Sequence, residues 1–457
     1  MPSLTPLFRS ANPLPPGPAR HVVRLNNGFQ LSFNLLWWMP VFYEYQRQSG
    51  LSDPQIFGIQ SIYYVAFCLL EVPTGLLADR IGLRRCLRLG AVVMAVANVL
   101  PALRPDYAGF LAHFLALALA RSLVSGAGSA YLYEYLDRHR ASAGYAQAEG
   151  TARALGLLGK IACWPFVGIL MQLDRAAPYW LSALGAAVAL GFAVALPRLP
   201  AASTAPGARP DARPDARLGA KASAGGPLAA VRGAAAVLRG TPRLVPLMIQ
   251  GVAVFTLARI LQVNLFQPLL LDKDVPVADH GTLLSAMTLA EAVAASRPGW
   301  LRRRLGDSTA VGVLSLVMAG TLAATVLAGS AGTAVLLCVF AAAGGLAYPV
   351  QRHLINSAIP ATPYRATLLS LESIVDRAVC ALAALAVGGY LAAGRLPELL
   401  VHSAVGSCLL LAGASLFLRR RQGAADDAES PGGTPPPEGP PEVSAGGQTE
   451  ASSRPSA

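Results

Sequence analysis

The feature that most constrains this chain is a series of long apolar runs without charge. Leu89 to Leu103 holds no acidic or basic residue, and neither does Thr309 to Gln351. A helix needs roughly 20 apolar residues to cross about 30 Å of hydrocarbon. Inside that layer backbone groups must hydrogen-bond to one another, which makes helices the default structure. Composition agrees, because 54% of the 457 residues are hydrophobic and 14% are charged. An ordinary soluble domain carries about 25% charged residues. The chain therefore reads as an all-α membrane protein with 12 transmembrane helices. In the first half they are expected near 26–47, 54–79, 86–103, 107–137, 144–173 and 177–196. In the second half they are expected near 244–271, 279–302, 308–329, 332–357, 364–393 and 396–418.

Between the halves lies 197–243, rich in Ala, Pro, Gly and Arg, where Ala208-Arg209-Pro210-Asp211 nearly recurs as Ala212-Arg213-Pro214-Asp215. It has too few large apolar residues to fold alone. The expected organisation is a disordered cytoplasmic arm (1–25), a six-helix bundle (26–196), a cytoplasmic linker (197–243), a second six-helix bundle (244–418) and a disordered cytoplasmic tail (419–457). The arm is proline-rich and lacks an apolar core, unlike a cleavable signal peptide.

The formal net charge is +12, and arginine dominates it. Nucleic-acid binding is one reading of a basic chain. Here the arginines sit instead in short gaps between apolar blocks, as in cytoplasmic membrane loops. Arg80, Arg84, Arg85, Arg88, Arg138, Arg140, Arg302, Arg303, Arg304, Arg352 and Arg365 fall in the loops of one side. The other side holds Arg47, Arg104, Arg175, Lys273 and Arg395. Both termini and the linker are then cytoplasmic. The Ala- and Arg-rich, Lys-poor usage suggests a GC-rich bacterial genome, hence a multi-pass protein of the bacterial inner membrane.

Six cysteines lie in or beside apolar blocks without CxxC spacing and read as small buried hydrophobes. The six histidines are scattered without metal-ligand spacing. No metal or cofactor is expected. There is no Walker loop and no enzyme constellation, so the chain is read as neither an ATP-driven pump nor an enzyme.

The loop after the second apolar block reads Gly75-Leu-Leu-Ala-Asp79-Arg80-Ile-Gly82-Leu-Arg84-Arg85. Gly75 allows close helix approach, and Gly82 permits a tight turn. Asp79 can meet a helix N-terminus. After the eighth block, Gly299-Trp-Leu-Arg302-Arg303-Arg304-Leu-Gly306 forms a degenerate copy. The first loop resembles the G-x-L-A-D-R-x-G-R-R signature of the major facilitator superfamily, with Leu83 as its departure. Glu71-Val-Pro73-Thr74-Gly75 leads into it as in many bacterial members. Ser125-Gly126-Ala-Gly128 to Tyr133-Glu134 and Arg365-Ala366-Thr367-Leu-Leu-Ser370 resemble the helix 4 and helix 11 patterns of the same group. The resemblance covers about residues 25 to 418. It implies two six-helix halves as a parallel repeat, with a substrate path between them. It also implies a cytoplasmic gate at Gly75, Asp79, Arg80, Gly82, Arg84 and Arg85. Glu134 and Asp137 would pair with the loop arginines, and Asp79 would meet the start of helix 11 near Thr367. Trp164-Pro165-Phe-Val-Gly168 matches only part of the G-P-x-x-G-G motif of drug–proton antiporters.

Charges inside a membrane are costly and face a cavity or a partner. Glu71, Arg121, Lys160, Arg259, Glu291, Glu372, Asp376 and Arg377 lie well inside apolar blocks. Helices 3, 6, 9 and 12 carry none at depth, and in the superfamily these are the peripheral ones. Glu71 and Glu291 are candidates for a titrating carboxylate, because burial raises a carboxyl pKa. Either could instead be locked to Arg121, Lys160 or Arg259. Arg121 stands where the superfamily often has an arginine linked to proton coupling, or it is a structural ion pair. Gln30, Asn34 and Trp38 recur every four residues as one stripe. With Lys160, Arg259 and Asn264 they are candidate cavity contacts; Trp38 could equally be an interfacial anchor.

The expected function is secondary active transport of a small organic molecule by alternating access, as proton-coupled efflux by a monomer. Its partners are then the substrate, protons and the lipid bilayer, without nucleic acid. The alternatives are an importer or uniporter, or a non-transporting sensor that keeps the fold.

Overall fold

The computed structural model describes residues 17–199, 226–296, 304–360, 362 and 364–429. Expectations for the arm before residue 17, for 200–225, for Gly299, Arg302 and Arg303, and for the tail beyond 429 lie outside them. Regular structure among the described residues is helical. The first half comprises α1 (Pro18–Asn34), α2 (Phe42–Gln48), α3 (Asp53–Ile81), α4 (Leu83–Leu103), α5 (Tyr107–Arg138), α6 (Tyr145–Cys163), α7 (Val167–Leu173) and α8 (Ala177–Ala195). After it come α9 (Gly226–Gly240), α10 (Leu244–Arg259), α11 (Phe266–Asp272), α12 (Val277–Ala295), α13 (Asp307–Ala324), α14 (Ser330–Ala358), α15 (Arg365–Ala392) and α16 (Leu396–Glu429).

Among the described residues, 10 helical stretches are long and apolar enough to cross a membrane. Two of them, Ser142–Leu173 and Leu244–Asp272, each combine two helices. Their outward surface is apolar, with Leu69, Leu76, Leu173 and Leu327 exposed. Such a surface suits lipid rather than water.

Where the sequence predicts one helix over 26–47, the structure breaks it between Asn34 and Phe42. Proline clashes with the carbonyl four residues back and donates no hydrogen bond. Pro40 therefore frees the Leu36 carbonyl, which accepts from Trp164 Nε1 at 2.9 Å. The break turns Trp38 inward, away from the Gln30 and Asn34 stripe. Its Nε1 donates to Asn98 Oδ1 at 2.7 Å, and its ring stacks on Tyr179 with centroids 5.7 Å apart. Trp38 is thus core, not an interfacial anchor. Pro268 has a similar effect on the seventh expected span, where a π-helical turn, Ile260–Leu265, joins α10 to α11.

The structure departs from the sequence reading at two further places. Residues Gly226–Gly240 of the expected linker are helical as α9, and Gly233 sits beneath the Tyr364 ring. The tertiary contact supplies the apolar surface that the segment lacks. Helix α16 continues to Glu429, past the expected end at 418. Its extension is rich in Arg and Ala, which are good helix formers.

Packing repeats between the halves. α4 packs on α5 and α8, and α3 on α5. Correspondingly, α13 packs on α14 and α16, and α12 on α14. Gly82 and Gly306 occupy matching places before α4 and α13, with φ of 89° and 71°. Both need the left-handed freedom of glycine. The halves meet along α3 with α15, and along α12 with α6 and α7.

Candidate functional site

The interface between the halves is tight at one end. A Cβ on Gly281 would lie 1.8 Å from the Trp164 carbonyl oxygen, and one on Gly168 would lie 2.4 Å from Ala278 Cα. A Cβ on Gly388 would lie 3.2 Å from the Asp53 carbonyl oxygen and from Pro54 Cα, a looser contact. Gln267 clamps the halves there. Its Oε1 accepts from the Tyr43 and Glu44 N–H groups at 3.0 and 3.3 Å, and its Nε2 donates to the Met39 carbonyl at 3.1 Å. No sequence signal marks Gln267 as a clamp, because Met39, Tyr43 and Glu44 lie more than 200 residues away.

Towards the signature loop the contact loosens. Glu71 and Arg377 face each other across α3 and α15 at 3.9 Å. Beyond them Val72, Pro73, Gly75 and Leu76 are exposed, while Thr74 donates to Ser122 O of α5 at 3.2 Å. Asp79 and Arg80 are exposed, and Asp79 has no partner among the described residues. The expected contact of Asp79 with the start of the eleventh span is therefore not made here. Arg84 Nη2 donates to Val194 O at 2.7 Å, and Arg88 donates to Ala193 O and Val194 O. These arginines satisfy carbonyls at the C-terminus of α8, where cations are favoured. Arg85 is exposed. Glu134 pairs with Arg138 one turn along α5, not with the loop arginines, and Asp137 is exposed. The i,i+4 spacing makes that local partner available without any tertiary movement.

Two chambers lie in the cleft. The outer one, about 490 Å³, is lined by Gln30, Asn34, Arg121, Ser125, Glu149 and Lys160 among others. Asn34 Nδ2 donates to Gln30 Oε1 at 3.0 Å, which fixes both amides. The inner chamber, about 350 Å³, is walled by Trp38, Tyr63, Tyr64, Phe67 and Phe114, with Arg121, Arg259 and Arg377. Arg121 and Phe67 line both.

The second half pairs its charges. Arg259 meets Asp376 at 3.0 Å, and Thr256 donates to the other Asp376 oxygen at 3.0 Å. Arg352 meets Glu372 at 2.9 Å and lies over the Phe255 ring. Sequence reasoning named Arg259 but left it open as a partner for Glu71 or Glu291; Asp376 takes it. Glu291 receives a hydrogen bond from Gln262 Nε2 at 2.8 Å and has no ion pair among the described residues. In the first half neither Arg121 nor Lys160 has a carboxylate within 4.0 Å among the described residues. Lys160 lies over the Trp164 ring at 5.6 Å. Asn264 is fully buried in the π-helical turn with its amide unpartnered, so it does not present to the chambers as expected.

Helices packed in two similarly built halves around a charged cleft define a multi-pass membrane protein of the transporter fold class. The chain belongs to the major facilitator superfamily, whose family model matches residues 28–384. No curated protein matches the sequence. Among solved structures the fold is similar to the nucleoside transporter NupG, with TM-score 0.70, 14% identity, and coverage of 88% of this chain and 99% of that one. It is similar also to a POT family transporter in complex with a thioalcohol-conjugated peptide, with TM-score 0.69, 13% identity, and coverage of 88% and 96%. The POT family transporter PepTSo is comparable, with TM-score 0.66, 11% identity, and coverage of 89% and 99%.

Proposed function

We propose that this protein is a secondary transporter that moves a small organic molecule by alternating access, as proton-coupled export across a bacterial inner membrane. In this reading α1 with α2 and α12 complete 12 spans, arranged as two six-helix halves with cytoplasmic termini. The signature loop with Gly75, Asp79, Arg80, Gly82, Arg84 and Arg85 then lies at the cytoplasmic gate. The observation that carries the reading is a cleft closed by Gln267 and the glycine contacts at one end and loosened at the other. Rocking would break the first set and bring Asp79 towards α15. The similar folds move nucleosides and peptides by their descriptions, cargo of a size that chambers of this volume accept.

Replacing Gln267 with Ala removes three hydrogen bonds that hold the closed end. Each is worth about 1 kcal/mol net, so the population open at that end should rise at least about tenfold. Electron–electron distances between spin labels at Gln48 and Asp274, in a chain without native cysteines, report the shift. Unchanged distances would remove the clamp from the account.

Glu291 is the coupling carboxylate in this reading. Its partner is the neutral Gln262, so a proton can come and go without breaking an ion pair. Asp376 and Glu372 are each held by an arginine. Glu71, half exposed and set against Arg377, serves the gate. With a substrate found by stabilisation screening, Glu291→Gln in proteoliposomes should lose uptake driven by a pH gradient and keep counterflow exchange. Full pH-driven uptake in the variant would rule out this assignment.

A further inference from the structure

We infer that the cargo is an aromatic carboxylic acid, its carboxylate held by Arg121 and Lys160 and its ring seated in the inner chamber. This deepens the transport reading and rests on it for the word cargo, but the binding site can be tested without transport.

In the second half Arg259 and Arg352 each have a carboxylate within about 3 Å. Arg377 faces Glu71. Arg121 and Lys160 have no such partner among the described residues. Arg121 repels Lys160, and Glu291 offsets that repulsion in part. Glu149, on the same chamber wall, is already engaged by Ser129 and Arg153. The cleft therefore holds one cation more than its carboxylates neutralise. Unpaired charge at membrane depth is costly, and an anion entering between the two bases relieves it.

Arg121 Nε is buried without an acceptor. A guanidinium fork matches a carboxylate through two parallel hydrogen bonds, and an ammonium adds a third from another direction. Gln30 and Asn34 in the same lining are tied to one another, and Arg153, the third base of the chamber, stands 4.0 Å from Glu149.

Arg121 and Phe67 line both chambers, so an anion at Arg121 has its remaining atoms directed into the inner one. Tyr63, Tyr64, Phe67 and Phe114 supply ring faces and edges there, an arrangement that favours another aromatic ring. The inner chamber also holds Arg259, which Asp376 binds at 3.0 Å, and Arg377, which stands 3.9 Å from Glu71 with its Nε buried without an acceptor. A volume of about 350 Å³ admits a one- or two-ring acid.

The test uses the purified full chain in detergent. The probes are 4-hydroxybenzoate, cinnamate and indole-3-acetate, each against its neutral amide, with uridine and a dipeptide for comparison. At saturation at least one acid should raise Tm by about 3 °C or more, and its amide should not. Lys160→Gln and Arg121→Gln should each weaken Kd at least tenfold. Lys160→Arg should restore most of the affinity, and Phe67→Ala should weaken the aromatic acid without removing its preference over the amide. The proposal is overturned if no acid stabilises the protein, if amides act as well as acids, or if Lys160→Gln binds unchanged. Acids that bind through Arg121 and Lys160 but do not cross proteoliposome membranes would uphold this site and sink the transport reading. Transport of uridine or a peptide with no response to acids would do the reverse.

Discussion

The two walls of the cleft carry similar numbers of cations and treat them oppositely. On the second-half wall, Arg259 is bound by Asp376, and elsewhere in that half Arg352 is bound by Glu372 with an aromatic ring beneath it. On the first-half wall, Arg121 and Lys160 line the outer chamber with no carboxylate within 4.0 Å among the described residues. A buried cation with its own acid contributes to holding helices together. A cation left without one in a wet cavity is available to something that arrives from outside. The difference separates scaffold charge from working charge within one fold, although Arg121, Lys160 and Arg259 look alike as intramembrane charges in the sequence.

The contrast can be broken most forcefully at Asp376, which is 8% exposed in its side chain. Replacing Asp376 with Ala strands Arg259 and leaves Thr256 without its acceptor. Removing one partner of a buried pair costs about 3–5 kcal/mol, so a large fall in Tm of the purified protein is expected. Glu372→Gln should cost less, on the order of 1–2 kcal/mol, because Arg352 keeps its ring contacts and can still donate to the amide oxygen. Lys160→Met should cost nothing or raise Tm slightly, since it removes an unpaired charge in favour of apolar packing. If Lys160→Met destabilised the protein as much as Asp376→Ala, the distinction between the two walls would fail.

Much of the fold is legible in the sequence because lipid leaves few solutions. Uncharged runs of sufficient length become helices, and α4, α5, α8 and α14 begin and end within a few residues of their expected bounds. Local chemistry also reads through. Ser52 and Gln55 start α3 with a reciprocal cap, and Asp106 accepts from Gly109 N–H at 2.7 Å to start α5. The interruptions are less legible. Pro40, Pro165 and Pro268 mark where the backbone can break, but not whether a neighbour such as Trp164 makes use of the freed carbonyl. The candidate site is legible by residue type alone. Arg121, Lys160, Gln30 and Asn34 line one chamber, Trp38 leaves their stripe for the wall of the other, and Asn264 turns into the core. Glu134 finds Arg138, a partner one turn away, before any distant one.

The sequence by itself determined that this chain is a bundle of membrane helices with ionisable groups at depth, since hydrophobic length and the cost of unpaired backbone in lipid depend only on local composition. Tertiary structure alone decided which ionisable groups neutralise one another, where Gln267 joins the halves, and which end of the cleft is closed. Those outcomes depend on distances of a few ångströms between residues hundreds of positions apart, and charge interactions change over that same length.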